Sequence, residues 1–99
     1  MTTKFKTFSN EREIQLLALA ASFNPASVIL KFNQYAEAVD LTVEVFGQRE
    51  DMTYISMEEF DWVKSPEEKY NLFYLDLKSR IAKTVRTCLQ RAIGIEVHT

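Results

Sequence analysis

Apolar residues along the chain follow two rhythms, and the change from one to the other marks out the elements. Between residues 10 and 23 they recur at intervals of three and four, with Ile14, Leu17, Ala18 and Ala21 in one stripe and Leu16, Leu19, Ala20 and Phe23 in a second beside it. That is the period of an α-helix. Ser9 or Asn10 supplies its N-cap, and so broad a stripe predicts a mostly buried helix.

Asn24-Pro25 is the next punctuation and has the form of an N-cap followed by proline at the first helical position. A second helix is therefore predicted from Pro25 to about Ala38, with Val28, Ile29, Phe32, Tyr35, Ala36 and Val39 at helical spacings. The competing reading is a strand, because Val28 to Phe32 is apolar and partly β-branched. From Val39 the period drops to two: Val39, Leu41, Val43 and Val45 alternate with Asp40, Thr42, Glu44 and Phe46, as in a half-buried strand. Gly47-Gln48-Arg49-Glu50-Asp51 is expected to turn the chain, and Met52 to Met57 to return as the second strand of an antiparallel hairpin. Ser56 followed by Glu59 gives a capping box for a short helical turn through Trp62.

The longest element is the clearest. Ser65 is a good N-cap, Pro66 stands where its missing N–H costs nothing, Glu67 and Glu68 favour the positive end of the helix dipole, and Gly94 closes the far end. Between these marks Ile81, Val85, Cys88, Leu89 and Ala92 keep the helical period. In the first half Leu72, Phe73, Tyr74, Leu75 and Leu77 point around nearly the whole circumference. A helix apolar on all sides must be covered on all sides, by the rest of the chain or by a second copy, and these five residues form the expected homodimer interface. Thr3 to Phe8 and Ile95 to His98 are candidates for additional edge strands. Because a hairpin alone is marginal in water, the expected fold is α+β: two N-terminal helices and a central antiparallel hairpin packed on one long C-terminal helix, in a single domain spanning 1–99.

Composition narrows the function classes. With 46% hydrophobic and 12% aromatic residues in 99, the chain is built for a folded core, not a disordered tail. No run of about 18 apolar residues exists to span a membrane. The N-terminal MTTKFKTFSNERE lacks the apolar centre of a signal peptide, and one cysteine makes no internal disulfide, so a reducing, cytoplasmic setting is expected. The net charge of −2 conceals a strong polarity. Residues 37 to 76 carry eleven acidic and three basic side chains, whereas residues 77 to 91 carry five basic and none acidic.

Catalytic chemistry is thinly represented, and no enzyme is expected. Two glycines cannot make a phosphate loop, no Cys or His set has metal spacing, and no cofactor is implied. Cys88 lies on the apolar side of the long helix as a structural thiol, and the only histidine, His98, sits next to the C-terminus. The neighbouring carboxylates Glu50/Asp51, Glu58/Glu59 and Glu67/Glu68 point in different directions and are read as solvated charge.

Two surfaces then compete for a macromolecular partner. The leading one is acidic and aromatic: Glu50, Asp51, Tyr54, Glu58, Glu59, Phe60, Asp61 and Trp62. It suits binding of another protein, a basic or nucleic-acid-binding one whose phosphate site the carboxylates imitate. For Trp62 itself a core position is the expectation. The alternative is nucleic-acid binding by the basic face of the last helix, Lys78, Arg80, Lys83, Arg86 and Arg91. It ranks second because cations there also complement the helix dipole, and because a pI near 5.4 opposes phosphate. Small size, few glycines and prolines and the lack of an enzyme signature would suit an accessory protein of a phage or mobile element, such as an inhibitor of a host or defence factor.

Overall fold

A computed structural model describes residues 8–33 and 36–94. The order of elements is α1 (Asn10–Ala21), β1 (Ser27–Asn33), β2 (Ala38–Val45), β3 (Gln48–Ser56), a single 3-10 turn (Met57–Phe60) and α2 (Pro66–Ile93). The strands form an antiparallel meander in the order β1-β2-β3. The fold is thus α+β with the long C-terminal helix, but with one N-terminal helix where two were expected.

The missing helix is β1. Its burial alternates, with Leu30 buried and Val28 and Phe32 half-buried between exposed neighbours, and these three pair with Val43, Leu41 and Val39 of β2. Helical and strand spacings coincide at Val28 and Phe32, so pairing decides between them: beside β2, Val28, Leu30 and Phe32 complete an apolar sheet face, which a helix could not do. Asn24-Pro25 does not cap a helix; it is a cis peptide in the turn leading to β1. The expected five-residue loop after β2 is also shorter. Val45 pairs directly with Gln48, leaving only Phe46 and Gly47 at the tip, at φ 47° and 86°. Positive φ at both central residues matches the right-handed twist of the flanking strands.

Both helices cover the same sheet face, α1 over β1 and α2 over β2 and β3. The core joins Leu16, Leu19 and Ala20 of α1 with Leu30, Val39, Leu41, Val43 and Ile55 of the sheet and Phe73, Leu77, Ile81 and Cys88 of α2. Phe8, fully buried, ties the layers together with its ring 5.3 Å from Phe32 and 5.9 Å from Phe73. The other candidate edge-strand positions, 3–7 and 95–98, fall outside the described residues. The open face of the sheet is polar apart from the exposed Ile29, and opposite charges meet across strands there, Lys31 with Asp40 and Glu44 with Arg49. Asp40 marks the one irregularity in the β2–β3 register. Tyr54, opposite it, sits at φ 58° and donates its N–H to Asp40 Oδ1 at 2.8 Å.

The ends of α2 follow local chemistry. Ser65 Oγ accepts from the N–H of Glu68 at 3.3 Å, and Gly94 adopts the left-handed conformation at φ 72°. Its 28 residues make a rod of about 42 Å, with Tyr70, Phe73, Leu77, Ile81, Thr84 and Cys88 buried along one side. The broad stripe of α1 is only half used, since Leu16, Leu19 and Ala20 are buried whereas Ile14, Leu17, Ala18 and Ala21 are exposed.

Candidate functional site

The acidic and aromatic residues are not one patch. Alternation along β3 sends Asp51 to the open sheet face and Glu50 to the helix side, where it meets Arg91 Nη2 at 2.6 Å. Asp51 accepts from Thr42 Oγ1 at 2.8 Å and from Arg49 Nε at 3.3 Å. The Thr42 hydrogen bond, reinforced by Arg49, holds the Asp51 carboxyl below its ordinary range. Tyr54 is exposed at the irregularity in β3. The 3-10 turn is capped by Ser56, whose Oγ accepts from the N–H of Glu58 at 2.9 Å. Within it Phe60 leans on the core while Glu58 and Glu59 are exposed.

Most of these carboxylates have cations of the same chain for partners. Glu59 lies 3.5 Å from Arg80, which also holds Asp76 at 2.9 Å. Asp61 lies 2.6 Å from Lys69 Nζ, and Glu37 3.3 Å from the same nitrogen. The Asp61 bond, with help from Glu37, raises the Lys69 ammonium above its usual range. Lys69 therefore fastens α2 to the turn before it and to the β1–β2 connection. The acidic stretch and the basic helix face, read as rival surfaces, are joined to each other by two ion pairs, Glu50 with Arg91 and Glu59 with Arg80.

Trp62 departs most from expectation. It is not a core residue but 73% exposed, on the segment between the 3-10 turn and α2. Beside it lies a shallow groove of about 490 Å³ lined by Trp62, Val63, Lys64, Glu68, Asn71 and Leu72. The indole and Leu72 give it apolar walls; Lys64, Glu68 and Asn71 give it a polar rim. Val63, Lys64 and Asn71 carry no sequence signal that would have singled them out. They become a group only because Ser65 and Pro66 fold the segment back along the first turns of α2.

The five residues of the all-round apolar segment divide the same way. Phe73 and Leu77 are fully buried inside the chain, Leu72 and Tyr74 are half-buried, the latter with its ring 6.4 Å from that of Tyr70, and Leu75 alone is exposed. Tyr70 is held by Arg12 stacked 4.5 Å over its ring and by Gln15, whose Oε1 accepts its hydroxyl at 3.0 Å. Among the basic residues, Arg80 and Arg91 are committed to the carboxylates named above. Lys78, Lys83 and Arg86 are exposed and make no ion pair with another described residue.

Among the described residues no group of His, Cys, Asp and Glu is arranged to hold a metal ion. Cys88 is fully buried, which pushes its thiol up and away from reactivity. His98, its only conceivable partner, lies outside the described residues. No described helix is long and apolar enough to cross a membrane. Compared with protein-family models, curated proteins and solved structures, the chain matches none.

Proposed function

We propose that this chain is a non-enzymatic interaction protein that binds another protein, with Trp62 as the anchor and the groove it shares with Val63 and Leu72 as the seat. The observation that carries the reading is the exposure of the only tryptophan against an apolar wall. An indole costs little conformational entropy to immobilise and offers both a large apolar surface and one N–H donor, which is why tryptophan dominates interface energetics. Glu68 and Lys64 put one charge of each sign on the rim of this groove, so a partner with an apolar anchor surrounded by polar and charged groups is favoured. Imitation of a nucleic-acid backbone finds less support, because Glu50, Asp51, Glu59 and Asp61 already face cations of the same chain.

The test places a photo-crosslinking residue at Asn71, exposed on the rim of the groove, and separately at the exposed Thr53, in cells that express the protein with Trp62 intact. A discrete adduct at 71 that is absent at 53 and is suppressed by Trp62→Ala in the same chain supports the groove. Equal cross-linking at both positions, none at 71, or an adduct at 71 that Trp62→Ala leaves unchanged, refutes it. A parallel titration with labelled single- and double-stranded DNA and RNA decides against the nucleic-acid reading if affinity is negligible, and for it if affinity falls steeply with salt and is lost in Lys78→Glu/Lys83→Glu/Arg86→Glu.

A further inference from the structure

Two largely apolar stripes on the outer side of the helix layer have no partner among the described residues. On α1 the residues Glu11, Ile14, Ala18 and Ala21 succeed one another at intervals of three, four and three, with Leu17 beside them. All are exposed, Ile14 at 66%. On α2, opposite the buried side, Leu75, Ser79, Ala82, Arg86, Leu89 and Ile93 repeat at four, three, four, three and four, the spacing of a coiled-coil seam. Leu75 and Ile93 are each 58% exposed. Because both helices cover the same sheet face, both stripes look outward from one surface.

We infer that a second copy of the chain covers this surface, with α1 of each protomer lying antiparallel along the Leu75–Leu89 section of α2 in the other. Length, size and charge agree. The 12 residues of α1 are about 18 Å long and the section from Leu75 to Leu89 about 21 Å. Ala18 and Ala21 on one helix and Ser79 and Ala82 on the other are small enough for two axes to approach to the 8–10 Å of packed helices. The section of α2 carries Arg86 within the stripe and Lys78 and Lys83 beside it, all three without an ion pair among the described residues, while the stripe of α1 opens on the exposed Glu11. The antiparallel arrangement sets Glu11 at the Arg86 end.

Self-pairing of α2 is the poorer alternative. Two-fold packing of that helix on itself about the middle of its seam would bring Lys83 against its own copy, with no carboxylate nearby on the outer side. A two-fold axis instead repeats the α1–α2 contact twice, each time joining opposite charges. This contact uses neither Trp62 nor the groove beside it, so it stands or falls separately from the protein-binding reading.

The experiment is the mass of the purified protein by light scattering and sedimentation over a concentration series, with far-UV circular dichroism to confirm that each variant stays folded. The expected result is a dimer that Ile14→Glu and Leu75→Glu each convert to monomer. Glu11→Arg and Arg86→Glu should each weaken the dimer about tenfold or more, and the double variant Glu11→Arg/Arg86→Glu should recover it. A monomeric wild-type protein overturns the inference. A dimer that Leu75→Glu breaks and Ile14→Glu does not is α2 paired with itself, and overturns it as well. So does a double variant no better than its parents.

Discussion

Phenylalanine at the tip of the β2–β3 hairpin is a local conflict whose size can be worked out. Phe46 occupies the first of two positions with positive φ, at 47°, where a side chain with a Cβ crowds its own carbonyl at a cost of about 1–2 kcal/mol. Asn and Gly are the residues that fit such a turn. Phe46 is 71% exposed, so less than a third of its surface contributes to stability; if full burial of a Phe is worth about 3 kcal/mol, the remnant is worth under 1 kcal/mol. Phe46→Asn should then relieve more strain than it forfeits in burial. The net expectation is a gain of about 0.5–1 kcal/mol, seen as a higher urea midpoint at unchanged slope and a Tm raised by roughly 2–8 °C. Equilibrium urea and thermal unfolding, followed by circular dichroism, measure both. A variant no more stable than the wild type would refute the reasoning, since it would mean that the ring's few contacts outweigh the backbone strain.

Other predictions concern titration and reactivity. Lys69 has its folded pKa raised above 10.5, first by Asp61 and then by Glu37, so its contribution is complete below 10.5 and fades as pH climbs through the folded value. Urea unfolding measured from pH 9 upward should show stability falling once pH passes about 10.5, with a shallower fall in Lys69→Met. Tyr70, raised by burial, acts in the same direction and should keep part of the slope in that variant. Cys88, buried and with a raised thiol pKa, should resist alkylation in the native protein and react only as fast as the chain unfolds; labelling by iodoacetamide with and without urea checks this, and rapid native labelling would place the thiol at the surface.

What could be read from the sequence was what short-range chemistry determines. The ends of α2 were written in Ser65-Pro66 and Gly94, because caps and the left-handed turn depend on neighbouring residues alone. The strand beginning near Val39 was visible because period-two alternation has few other causes. Val28 to Asn33 is ambiguous in the sequence because its apolar positions satisfy both periods, and only the partner strand breaks the tie. The hairpin turn was placed too late because a phenylalanine stands where turn chemistry favours asparagine. Trp62 and the outer stripe of α1 failed for a common reason. Hydrophobicity states what a residue gains from burial but not whether this chain has anything left to bury it with, and α2, already flanked by the sheet and α1, does not. The groove between Trp62 and Leu72 is likewise a product of how one segment folds back on a helix, and no pairwise pattern announces it.

The position of α2 in the chain also sets a schedule. The apolar face of the sheet is complete once Ile55 has been made, yet the helix that covers β2 and β3 runs to Ile93. At about 5–20 residues per second, the remaining 38 residues take roughly 2 to 8 s, far longer than the microseconds in which a hairpin closes. Until α2 has been made, Leu41, Val43 and Val45 lack the helix that covers them in the finished fold, and the charges on the far face of the sheet are what the unfinished chain has to keep that surface apart from other copies.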